Sequence, residues 1–338
     1  MGSLPVLLTP APASRFFDPQ PPQSTSQSSS GAHTHLHSTA HSSTRGRSLS
    51  APLPGNMLTR VRTVLRPPSG ARFRASSALT SRISSITESF FTPAHRVSVT
   101  VPATISNLGP GFDCFGFALD LGNRVVVQRS HVFSMEIHGE GVDLPRTEDN
   151  LIARMTHKAL AELGVQPTPL RFECHNAVPP RKGFGSSSTA VVAGLAAGLA
   201  LGGKDLELPS SKQLLLQLAA EEAGHADNIA AAIFGGFQIA CRSERQWISQ
   251  RVVIPSGLQL CLFIPHDEIL SAEARSVLPK TTSYEDAIFN ISRAAMLVNC
   301  FATSQFDPLR FAMEDRLHQQ YRTHMFPFEP LIEAAVKA

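Results

Sequence analysis

No apolar stretch in this 338-residue chain approaches the roughly twenty residues that a bilayer-spanning helix needs; the longest, residues 190–201, is twelve. The five cysteines, Cys114, Cys174, Cys241, Cys261 and Cys300, form no Cys-x-x-Cys pair and leave one over. That argues against a disulfide framework or a thiolate zinc site and reads as core thiols in a reducing compartment. Acids are nearly missing from the first quarter: residues 1–95 hold two, Asp18 and Glu88, against nine Arg and no Lys, a net of +7. The whole chain is +3, so the remainder is mildly acidic. Duplex binding needs clustered Lys and Arg on the folded part, so nucleic acid is a poor partner.

Residues 1–95 also lack any sustained apolar period, and nineteen Ser and eleven Pro fill the space. Such a stretch buries too little to offset its ordering entropy, so it reads as disordered rather than as a domain. Arg-rich, Ser-rich and acid-poor composition without an apolar core is the signature of an organelle transit peptide. The expected destination is the chloroplast stroma, with the mitochondrion second.

Order is expected from Arg96. The Val97-Ser98-Val99-Thr100-Val101 alternation predicts a strand ended by Pro102, and strands are expected at 125–128, 133–138, 170–175, 235–240 and 258–264. Asp149 or Asn150 caps a helix over 151–163, with Gly164 as its stop. Further helices are expected at 186–201, 211–223, 284–302 and 307–320, and a last one from Glu329. The 186–201 helix, rich in Ala and Gly, must pack closely on something. The irregular order of elements points to an α+β fold with an antiparallel sheet.

The strongest local signal is Pro179-Pro180-Arg181-Lys182-Gly183-Phe184-Gly185-Ser186-Ser187-Ser188-Thr189, set before an apolar helix. Glycines let backbone approach a ligand, serines supply hydroxyls, and the helix N-terminus presents amides at its positive dipole end. Together they make an anion-binding loop. The plainer alternative is a Gly-rich turn with a Ser N-cap. It is neither a P-loop nor a dinucleotide-binding fingerprint.

Pro102-Ala103-Thr104, then Asn107-Leu108-Gly109-Pro110-Gly111-Phe112-Asp113, the Gly183–Ser188 loop, and His225-Ala226-Asp227-Asn228 before Gly235-Gly236-Phe237 resemble the GHMP small-molecule kinases, homoserine kinases in particular. Glu273-Ala274-Arg275 and Asp315-Arg316-Leu317-His318-Gln319-Gln320-Tyr321-Arg322 are similar to two later segments of that family. The resemblance spans residues 96–338. It departs at Ile105-Ser106, where the family has Ser-Ala, at Ser271-Ala272, and at Gln320, where it has Pro. The family also continues into a Ser-Gly-x-Gly-Pro loop not found before Ala338.

The resemblance implies a GHMP kinase fold, with a complete ATP-binding domain over 96–250 and a partial second α+β domain over 251–338. It implies phosphorylation of the L-homoserine hydroxyl by ATP with Mg2+, a step towards threonine, and a homodimer; no membrane partner is expected. Homoserine is a zwitterion, so a site needs a carboxylate for its ammonium and an Arg for its carboxylate. Asp113 suits the first, and Arg275 and Arg322 the second, with Asn107, His225 and Asn228 as further substrate contacts. ATP would lie on Gly183, Gly185, Ser186, Ser187 and Ser188. The metal would take Ser187 and either Glu221 or Glu222, with Glu221 preferred. Asn228 stands where related kinases carry an acidic base, and an amide accepts no proton, so the hydroxyl is expected to attack without a strong protein base. Ser187, Glu221 and Asn228 are therefore the catalytic set, while Lys182 reads as a solvated loop residue. The rival readings are a GHMP kinase for another alcohol, or a homologue that binds nucleotide without turnover.

Overall fold

The computed structural model describes residues 6–9, 60–61, 93–256, 258–262, 264, 271–325 and 330. Two short strands, β1 (Val6–Thr9) and β2 (Arg60–Val61), are followed by β3 (Arg96–Ser106), β4 (Phe115–Arg129) and β5 (Ser134–Gly139). Next come α1 (Leu151–Glu162), β6 (Leu170–Asn176), α2 (Ser186–Leu201), α3 (Pro209–Ala223) and α4 (Asp227–Phe234). The chain continues through β7 (Phe237–Arg242), β8 (Trp247–Val252), β9 (Gln259–Leu262), α5 (Ser271–Ser276), α6 (Tyr284–Thr303), α7 (Leu309–Ala312) and α8 (Gln319–Arg322). The α+β class is as expected.

The main sheet has the order β5-β6-β4-β7-β8, with β3 on the other edge of β4. Its pairings are antiparallel except β5 with β6, which run parallel because α1 crosses over between them. The sheet is thus mixed, a correction to the expected antiparallel one. Pro102 does not end β3 either. The register slips between Pro102↔Gly122 and Thr104↔Ala118, so a bulge absorbs the proline and the strand continues to Ser106. Within the main sheet β3 pairs only with β4, and an edge strand tolerates a residue without an N–H.

β1 and β2 each pair antiparallel with β9. They fall inside the stretch expected to lack strands; four β-prone residues, Val6 to Thr9, are too few to register as an element without a partner edge. The rest of 1–92 lies outside the described residues, as does nearly all of the helix expected from Glu329. The 250/251 boundary expected between domains falls inside β8.

Helices α1 to α4 supply one large hydrophobic cluster with β3, β4 and β6, including Val125, Val127, Phe172, Leu195, Leu199 and Leu216. A second cluster joins the lower halves of β3 and β4 to β7, β9 and α6 through Ile105, Phe115, Phe117, Phe237, Leu260 and Phe301. The partner that the Ala/Gly-rich α2 requires is α1. A Cβ on Gly194 would stand 2.5 Å from the Ile152 carbonyl oxygen, and one on Gly198 2.4 Å from that of Thr156. Cys174 and Cys300 are core thiols, but Cys241 is exposed on β7, where the strand end leaves the helices behind.

The helix expected over 307–320 is two short ones. The Asp315 carboxylate accepts hydrogen bonds from the backbone N–H of Leu317, His318 and Gln319 and from Asn290 Nδ2, which stops the chain between α7 and α8.

Candidate active site

Five segments converge where β3 leaves the sheet: the loop after β3, the loop before α2, the start of α4, and the helices α5 and α8. The loop before α2 fits an anion. Gly185 caps the helix at φ 63° without a side-chain hydrogen bond, and the first turn holds no acid. The Ser N-cap alternative therefore fails, and the backbone N–H groups of the first turn stand at the positive helix end. A Cβ at Gly185 would sit 2.1 Å from Thr104 Oγ1 and 3.0 Å from Asn228 Oδ1, so only glycine lets this loop lie against the core of the site. The Phe184 carbonyl accepts the Thr104 N–H at 3.0 Å, fastening the loop to β3. Ser186 is half-buried, Ser187 exposed and Ser188 buried.

Beside this loop lies a buried polar network. Thr104 Oγ1 donates to Asn228 Oδ1 at 2.7 Å, and Asn228 Nδ2 donates to Ser106 Oγ at 2.7 Å. Asp227, 1% exposed, accepts from His225 Nδ1 at 2.6 Å and from the Asn228 N–H at 2.7 Å. Burial alone would raise the Asp227 carboxyl, but the His225 hydrogen bond and charge, the Asn228 N–H and the Ser106 hydroxyl outweigh it and hold it below the usual carboxylate range. Asp227 is therefore an ionised acceptor. Gly116 of β4 passes under α4 so closely that a Cβ would meet the Asp227 carbonyl, which fixes how this helix start lies on the sheet.

The charged end of the site is built on the loop after β3. Asn107, at φ 60°, accepts the Asp113 N–H on Oδ1 at 2.8 Å and so sets the turn. Asp113 receives Arg275 in a two-pronged pair at 2.8 and 2.5 Å. The hydrogen bonds and charge of Asp113 raise the Arg275 pKa, outweighing burial, which lowers it. The residue expected to hold an ammonium and one expected to hold a carboxylate thus hold each other. Arg322 is fully buried; its Nε donates to the Ala274 carbonyl at 2.9 Å, and its two terminal nitrogens have no hydrogen-bond partner among the described residues. Burial, with the neighbouring Arg275 charge adding to it, pulls its pKa down. Both guanidinium groups stand over the Phe112 ring, at 5.2 Å for Arg275 and 5.0 Å for Arg322. His318 packs against the same ring, with centroids 5.1 Å apart and a tilt of 32°, and bonds the Gly109 carbonyl through Nε2 at 2.7 Å.

The acidic residues on α3 divide. Glu222 forms a 2.7 Å ion pair with Lys158 of α1 and lines a groove of about 840 Å³ with Arg154, His157 and Pro167. The Glu222 carboxylate, expected as one of two candidate metal ligands, is thus engaged on the α1 side. Glu221 is exposed at the end of α3. Among the described residues no group of three or more His, Cys, Asp or Glu is close enough to hold a metal, so a divalent cation would depend on Glu221, the Ser187 hydroxyl and ligand oxygens. Lys182 is half-buried rather than a fully solvated loop residue.

Five participants carried no role in the sequence reading: Thr104, Ser106, Phe112, Asp227 and His318. The signal for the first two was present, since period two places Thr104 and Ser106 on one face of the strand that leads into Asn107. Phe112 and His318 gave none, because their contact joins positions about two hundred residues apart.

The family of GHMP kinases N terminal domain matches residues 150–236. A curated homoserine kinase of Aquifex aeolicus is 38% identical over 231 residues, 68% of this chain and 76% of that protein. One from Moorella thermoacetica is 39% identical over 241 residues, 71% and 80% of the two chains. The chain belongs to the homoserine kinase family. The crystal structure of homoserine kinase from Cytophaga hutchinsonii superposes with a TM-score of 0.61 at 27% identity, covering 73% of this chain and 81% of that one. The family's fold and the convergence of the five segments therefore agree.

Proposed function

We propose that this chain transfers the γ-phosphoryl group of ATP to the hydroxyl of L-homoserine, giving O-phospho-L-homoserine, a step that feeds threonine synthesis. The observation that carries the reading is the Asp113–Arg275–Arg322 cluster beside the glycine loop. It offers one carboxylate and two guanidinium groups, one with two open nitrogens, which suits an α-amino acid and not a neutral sugar or mevalonate. A bound zwitterion would replace the internal pair, its ammonium going to Asp113 and its carboxylate to Arg275 and Arg322.

ATP with Mg2+ supplies the transferable phosphoryl group and neutralises its charge. Gly183, Gly185 and Ser186 to Ser188 would hold the phosphates, and Ser187 with Glu221 the cation. The chain's own work is positioning: Asn228, locked between Thr104 and Ser106, and His225, locked by Asp227, face the acceptor side. An ADP-release assay with homoserine, serine, threonine and mevalonate as acceptors tests the reading. Turnover with homoserine alone is expected, and equal turnover with mevalonate would refute it.

Residues 1–95 are proposed to direct the chain to the plastid stroma, on their net charge of +7 and missing apolar run. A fluorescent reporter carrying them should enter plastids, and a cytosolic or secreted reporter would overturn the proposal.

A further inference from the structure

β3 enters the site with Thr104 and Ser106 two residues apart. Ser106 stands where the homoserine kinase motif has Ala, and it is only 8% exposed. Its oxygen accepts from Asn228 Nδ2 at 2.7 Å and from Asn107 Nδ2 at 3.2 Å, and its hydrogen bond to Asp227 helps keep that carboxylate ionised. A hydroxyl oxygen has two lone pairs, and the two amides use both of them. Ser106 thus acts through its neighbours.

Those neighbours each face a different part of the site. Asn107 holds the Asp113 backbone N–H through Oδ1. Asn228 takes the Thr104 hydroxyl on Oδ1. Asp227, an acceptor, requires a proton on Nδ1 of His225, a side chain 13% exposed. Turning the Asn107 amide over would set its NH2 group against the Asp113 N–H, donor against donor. The acceptor oxygen of Ser106 favours the opposite, observed orientation.

We propose that Ser106 is a positioning residue for phosphoryl transfer: by receiving the Asn107 and Asn228 amides and donating to Asp227, it fixes both amides one way round and keeps Asp227 aimed at His225. The proposal rests on the homoserine kinase reading and adds to it a residue that the family motif does not supply. A hydroxyl that merely satisfied buried polar groups would change stability when removed and leave the chemical step alone, so rate and stability separate the two roles.

The test compares S106A and S106T in the full chain. Ala is the residue of the family motif, so the fold accommodates it. S106A is expected to lower kcat about three- to tenfold with the KM for ATP unchanged, while S106T, which retains the hydroxyl, keeps at least half of the wild-type kcat. A second measurement does not depend on turnover. In nitrogen-15 histidine spectra, with His225 assigned by its loss in H225Q, the wild type should show protonated Nδ1, and S106A should shift toward a mixture in which Nδ1 is partly unprotonated. Wild-type kcat and unchanged His225 signals in S106A, whatever its melting temperature, would overturn the proposal. So would an S106T that behaves as S106A does. Absence of homoserine-dependent ADP release in the wild type would instead count against the kinase reading, and the nitrogen spectra would still decide the role of Ser106.

Discussion

Replacing Arg322 with Met should make the protein more stable and a poorer kinase at once. The terminal nitrogens of Arg322 are buried without a partner among the described residues, and each such group costs about 2 kcal/mol relative to water. Removing both relieves about 4 kcal/mol. Against this stand the hydrogen bond from Nε to the Ala274 carbonyl, about 1.5 kcal/mol, and the stacking on Phe112, about 1 kcal/mol. The methionine chain refills most of the volume and carries no charge. The expected gain is therefore about 1 to 2 kcal/mol, in line with exchanges of buried ionic groups for apolar ones. Urea unfolding of R322M without ligands should show the midpoint rise at unchanged slope. Steady-state kinetics should show the homoserine KM rise at least about thirtyfold, the low end for losing one partner of a buried charge contact, with the KM for ATP unmoved. A variant less stable than wild type by more than about 1 kcal/mol, with its homoserine KM intact, would refute the reasoning and make Arg322 a structural residue.

Two further outcomes follow from the same geometry. G185A puts a Cβ at a left-handed position and against Thr104 Oγ1, so it should cost about 2 to 4 kcal/mol from strain and a broken buried hydrogen bond and abolish ATP binding; a calorimetric titration matching wild type would contradict this. His318 is held below its ordinary pKa, chiefly by burial. Its folded pKa lies under the unfolded value of about 6.5, so the unfolded chain binds the extra proton and stability falls as pH drops below about 6.5. H318Q should flatten that slope in chemical denaturation from pH 7 to 5, and an unchanged slope would assign it to another group.

Much of the fold was legible where an element has one buried face and one wet, as α1 does, or a long unbroken small apolar run, as α2 does. Asn150, Leu151, Ile152, Met155 and Ala159 mark α1 within a residue, and the Ala/Gly run marks α2 to the residue. The first half of β4 was not legible, because Phe115 to Leu119 are all buried and so show no alternation. Nor was the break between α7 and α8, since Asp315 caps through its side chain at a point where composition still favours helix. The site shows the same division. Its motifs name Asp113, Arg275, Arg322, His225 and Asn228, each found at the convergence of segments. That Asp113 and Arg275 pair with each other depends on how α5 meets the loop after β3, which no spacing records. Glu221 and Glu222 are adjacent in sequence and differ only in which way the end of α3 turns them, and Lys158 decides it.

The contact between α1 and α2 has a mechanical consequence. At Gly194 and Gly198 the two backbones touch with no side chain between them, so the pair has no soft layer in which to shear and behaves as one beam. The loop before α2 is the end of that beam. Across from it stand the short helices α5 and α8 and the loop bearing Phe112 and Asp113, anchored by hydrogen bonds, an ion pair and ring contacts rather than by backbone against backbone. One wall of the site is thus built stiff and the other is tied by side chains alone.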